Sequence, residues 1–126
     1  MRKTSILLSF ALASLTLTGV SLPAGAQNSG SSSIRAANLA RMKAETLNGG
    51  LQVYRPAACM YKQGGGACLL KSSAEGYLFR FYGGGPGWQQ LGDKPTVETE
   101  ILVAPDGRSI LQVIYNGPLR ASSTPR

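Results

Sequence analysis

The chain has 126 residues, with 13 Lys+Arg against 6 Asp+Glu and no histidine at all, which excludes imidazole-based acid–base catalysis and histidine metal shells. An apolar share of 43 %, with one Trp, five Tyr and three Phe, argues against general disorder. The length leaves room for one hydrophobic core and no second domain.

The N-terminus reads as an export signal. Arg2 and Lys3 form a positive n-region, residues 6–20 an uncharged apolar h-region, and Leu22-Pro23-Ala24-Gly25-Ala26 a helix breaker followed by small residues where a signal peptidase cuts. Residues 1–26 are therefore expected to be a cleavable signal peptide. The stretch is shorter and more Ser/Thr-diluted than the roughly 20 apolar residues of a spanning helix, so no stable membrane insertion is expected after cleavage. Without a twin-arginine pair or a cysteine at the cut, the general secretory route is the expected one, and the mature chain is expected to be secreted or periplasmic. Loss of Arg2 and Lys3 leaves 11 basic against 6 acidic residues, a formal charge of +5. Those cations are scattered and no nucleic-acid motif accompanies them, so no nucleic-acid partner is expected.

Residues 27–33 are rich in Ser, Gly and Asn and read as a flexible lead-in to one small domain over 34–118, with a flexible tail over 119–126. From Ile34 to Leu47 good helix formers predominate, and Asn48-Gly49-Gly50 supplies a stop. Helical spacing puts Ala36, Leu39, Ala40 and Leu47 on one side, with Asn38, Arg41 and Glu45 on the other. Strand-like runs follow at Leu51–Arg55, around Cys59–Tyr61, at Cys68–Lys71 and at Gly76–Tyr82, each bounded by Pro or Gly. Near the end, 97–103 and 109–115 alternate around Ala104-Pro105-Asp106-Gly107-Arg108. This predicts a C-terminal β-hairpin with Val97, Thr99, Ile101 and Val103 on a core face shared with Leu111, Val113 and Tyr115. The expected class is α+β: an N-terminal amphipathic helix packed on an antiparallel sheet of four to six strands.

Cys59 and Cys68 are the only cysteines. In an oxidising compartment they are expected to form a structural disulfide, with the Gly64-Gly65-Gly66 triplet reversing the chain between them as a hairpin. Closing so short a loop is worth about 2–3 kcal/mol in the chain-entropy model. The spacing does not suit a redox pair, which sits two residues apart at a helix start, and two thiols cannot fill a zinc shell, so no metal or cofactor is expected.

Two constellations carry the functional expectations. Glu98 and Glu100 share a strand face at about 7 Å, a glycosidase-like separation, but alternation with core residues predicts a solvated face. Gly83-Gly84-Gly85-Pro86-Gly87-Trp88 lacks the Lys-Ser or Lys-Thr and helix start of a phosphate loop. It is expected to present Trp88, with Tyr82, Gly84 and Gly85, as an aromatic platform for a ligand. The leading expectation is a non-enzymatic exported module that binds a cell-envelope polymer or a partner protein through this loop. The alternative is a small hydrolase using Glu98 or Glu100 with Asp93.

Overall fold

The computed structural model describes residues 19–20 and 29–121; residues 1–26, expected to be a signal peptide, lie almost wholly outside the described residues. The chain runs α1 (Ser29–Leu47), β1 (Arg55–Pro56), two short 3-10 turns (Ala58–Tyr61 and Gln63–Cys68), β2 (Leu69–Ser73), β3 (Gly76–Gly84), β4 (Val97–Val103) and β5 (Ile110–Gly117). One helix packs on a five-stranded antiparallel sheet, the expected α+β architecture. β3 lies at the centre, with β4 and then β5 on one side. On the other side β1 pairs with its Gly83–Gly84 end and β2 with residues 76–79.

α1 begins at Ser29, inside the stretch read as a lead-in, rather than at Ile34. Its buried stripe is made of small side chains: Ser32, Ala36, Ala37, Ala40 and Ala44. Alanine combines high helix propensity with a short radius, so the helix axis can lie close to Phe79, Phe81, Ile101 and Val103 on the sheet. Leu47, expected on this face, is 43 % exposed. The buried row advances by fours from Ser32 to Ala44 and continues to Asn48, which leaves Leu47 to one side. Asn48 Nδ2 donates to Ala44 O (2.8 Å) and to Asn116 Oδ1 (3.0 Å), closing the helix and tying it to β5. Glu45, expected on the polar side, is buried and accepts from Arg41 at 2.7 Å.

Several strand expectations change. Residues 51–53 form a turn, with Tyr54 N donating to Gly50 O, and only Arg55–Pro56 pairs with the sheet. The Cys59–Cys68 disulfide is present, with a Cα–Cα separation of 5.8 Å. The segment between is two 3-10 turns instead of a hairpin. Gly64, Gly65 and Gly66 all take positive φ, a conformation side-chain-bearing residues avoid, and the reversal lays Gly65 against Phe79 and Ala37.

β4 and β5 form the C-terminal hairpin, but its connection spans residues 104–109 and its register departs from simple alternation. The pairs Val103↔Ile110 and Leu102↔Gln112 skip Leu111, and Ile101↔Val113 and Glu100↔Tyr115 skip Ile114. Each extra residue flips the alternation of β5. Ile110 and Val113 therefore face the helix with Val103 and Ile101, whereas Leu111 is 54 % exposed and Tyr115 lies on the far face beside Glu100. Gly107, at φ +71, seats the hairpin turn on α1, where a Cβ would come within 2.3 Å of Ser32 O.

Candidate functional site

Successive strand residues face opposite sides of a sheet, so the Gly83–Gly84 end of β3 is bare on both. Tyr54 fills the helix side, its ring lying where a Gly83 Cβ would stand. Trp88 fills the other side, its indole lying 2.9 Å from the Cβ position of Gly84. The chain reaches Trp88 through a wound turn: Trp88 N donates to Gly85 O, Leu91 N to Gly87 O and Asp93 N to Trp88 O. Trp88 Nε1 then donates to Arg55 O at 3.0 Å. A segment readable as a loose connector is thus tied to β1, and its indole is half-buried, neither core nor free.

Two clefts open beside this loop. One, of about 440 Å³, has Trp88, Tyr61, Arg55 and Gln90 among its walls. Tyr61 is 55 % exposed and is held from behind, with its hydroxyl donating to Glu45 at 3.4 Å and the Arg41 guanidinium 4.9 Å from its ring centre. The second, of about 230 Å³, lies between the disulfide and β3 and includes Tyr82, Phe81, Lys62 and Arg80. Gln89 and Ala58 border both clefts, and Gln89 Oε1 accepts from Ala58 N at 2.7 Å, so this bond forms the ridge between them.

Of the residues expected to bind ligand, Trp88 and Gly84 are in contact. Tyr82 is buried and borders the second cleft rather than standing beside Trp88 in the first. Gly85 is exposed with open space around it. Tyr61, Arg55, Gln89, Lys62 and Arg80 complete the two clefts and had no motif to mark them. The one usable signal was at Arg80, a cation alternating with Phe79 and Phe81 in an apolar strand.

Glu98 and Glu100 do not form a solvated face. Glu98 is 0 % exposed and Glu100 is 9 % exposed, because the chain after β5 folds back over them. Arg120 Nη2 lies 2.6 Å from both carboxylates, its Nε and backbone N also donate to Glu98, and its guanidinium stacks 4.3 Å from the Tyr115 ring centre. These bonds, Glu98 first, hold the Arg120 guanidinium well above its ordinary pKa. Arg80 Nε approaches the same carboxylates at 3.7 and 3.6 Å. With Glu98 Oε1 and Glu100 Oε2 bonded to the Arg120 guanidinium and Glu98 Oε2 to the Arg120 backbone N–H, the pair is arranged as a structural ion network instead of an acid and a base open to substrate. Asp93 sits exposed on the Trp88 loop. Among the described residues no three His, Cys, Asp or Glu side chains cluster to hold a metal ion, and no helix is long and apolar enough to cross a membrane.

No family model matches the chain, and no curated protein or solved structure shows significant similarity to it.

Proposed function

We propose that residues 1–26 direct export by the general secretory route and that the mature chain acts in the periplasm or outside the cell as a non-enzymatic binding module. Its ligand is a cell-envelope component or a partner protein, taken up at the cleft walled by Trp88 and Tyr61. The observation that carries this reading is the state of Trp88. Its indole rests on a glycine, is pinned through Nε1 to Arg55 O, and remains partly open to a cleft. An aromatic ring already held in place loses little further freedom on binding, which is why such rings anchor interfaces. The hydrolase alternative at Glu98, Glu100 and Asp93 has less support, because Arg120 occupies the two glutamates.

Trp88 is the sole tryptophan, so its emission reports directly on the cleft. Titration of the oxidised mature protein with purified envelope polymers and solubilised envelope proteins is expected to shift that emission for the true ligand. Trp88→Ala should abolish retention of that ligand on an immobilised column while circular dichroism shows a folded domain. Undiminished retention by a folded Trp88→Ala protein overturns the assignment.

A further inference from the structure

The second cleft carries a chemistry that the Trp88 reading does not use. Its walls are largely apolar, formed by Ala57, Leu70, Phe81 and the Cys59–Cys68 bridge, yet two cations line it. Arg80 Nε stands 3.7 Å from Glu98 and 3.6 Å from Glu100, at ion-pair distance and without a hydrogen bond, and no hydrogen bond from the Arg80 guanidinium is seen among the described residues. The two carboxylates are already held at hydrogen-bond distance by Arg120. Lys62 runs its stem past Gly66 and has no acidic partner among the described residues. Two glutamates against two arginines and a lysine leave one positive charge at the mouth of an apolar recess.

We propose that this cleft binds a small monocarboxylate with an apolar body, its carboxylate received by Arg80 and Lys62 and its carbon chain laid against Phe81, Leu70 and Ala57. A guanidinium presents parallel N–H donors that fit the two oxygens of a carboxylate, and an ammonium adds a second, mobile donor. A neutral sugar leaves both cations unanswered. A bulky polyanion does not enter a recess of about 230 Å³, which is smaller than the roughly 300–1,000 Å³ of drug-sized sites. The site contains no atom of Trp88, so it stands or falls separately from the function proposed above.

The test is a chemical-shift titration of the isotopically labelled, oxidised mature protein with hexanoate, and in parallel with hexanol, acetate and inorganic phosphate. Hexanoate is expected to move amides at residues 57–59, 68–70 and 80–82, and to bind at least tenfold tighter than any of the other three. Lys62→Gln, a change at an exposed side chain, should weaken hexanoate at least fivefold with the melting temperature unchanged, and Arg80→Gln should weaken it further. Hexanol binding as tightly as hexanoate overturns the role of the cations, and phosphate binding as tightly overturns the role of the apolar walls. Hexanoate shifts elsewhere, or unaltered affinity in a folded Lys62→Gln protein, overturn the site itself.

Discussion

Replacing Gly83 and Gly85 each by alanine makes the same chemical change two residues apart in one glycine run, and the structure assigns the two opposite outcomes. A Cβ on Gly83 would stand 2.3 Å from Tyr54 Cε2 and 2.5 Å from its Cζ and hydroxyl oxygen, inside a ring that is only 2 % exposed. Gly83 also pairs with Pro56 on one side and Val97 on the other, so its backbone cannot retreat without breaking the sheet. Overpacking of this kind costs about 1–3 kcal/mol. At about 4–8 °C per kcal/mol for a domain of this size, Gly83→Ala should lower the melting temperature by on the order of 10 °C. A Cβ on Gly85 meets nothing within 4 Å, and its φ is not in the positive range, so Gly85→Ala should be neutral or stabilise by up to about 1 kcal/mol through the unfolded chain. Thermal unfolding of the oxidised protein followed by circular dichroism measures both. Tyr54→Leu combined with Gly83→Ala should cost less than the two changes added together, because the smaller side chain clears the clash. Equal melting shifts for Gly83→Ala and Gly85→Ala would refute the packing of Tyr54 on β3.

Burial pushes the Tyr54 phenol up to about 12, with Glu45 and Tyr61 adding to the rise. The neighbouring Thr99 donates its hydroxyl to Asn116, and Tyr54 Oη has no hydrogen-bond partner among the described residues. Because the unfolded phenol ionises near 10 and the folded one only near 12, this group's contribution is whole below pH 10 and is lost as pH rises toward 12. Tyr54→Phe should therefore match the parent within about 1 kcal/mol at pH 7 and lose about 2–3 kcal/mol less between pH 10 and 12, as read by urea titrations at each pH. Arg120→Ala removes the guanidinium that bonds the buried Glu98 and Glu100, while Arg80 Nε stays at 3.7 Å from Glu98. The expected loss is about 2–3 kcal/mol, less than the roughly 3–5 of a fully buried pair because the Arg120 side chain is 31 % exposed. A loss under 0.5 kcal/mol by urea denaturation would return this segment to the status of a tail.

Periodicity, breakers and cysteine count were enough to read the α+β class, the helix stop at Asn48-Gly49, β3, β4 and the disulfide pair. Each depends on neighbours within one or two turns or one strand, where local sterics and side-chain alternation decide the conformation. The rest was set at long range. The bulges at Leu111 and Ile114 turn Tyr115 away from the core and leave Asn116 on the helix side, where it meets Asn48. The glycines at 83 and 84 read locally as a connector. They are strand because Tyr54 and Trp88, 29 and 4 residues away, occupy the space their missing side chains leave. Glu98 and Glu100 alternate like a wet strand face, and only the return of Arg120 across 20 or more residues makes them a buried ion network. Composition and short-range pattern determined the helix, the long strands of the sheet and the disulfide pair. The partners across the sheet determined which side chains are buried, which cations line the clefts, and how far Trp88 stays open to one of them.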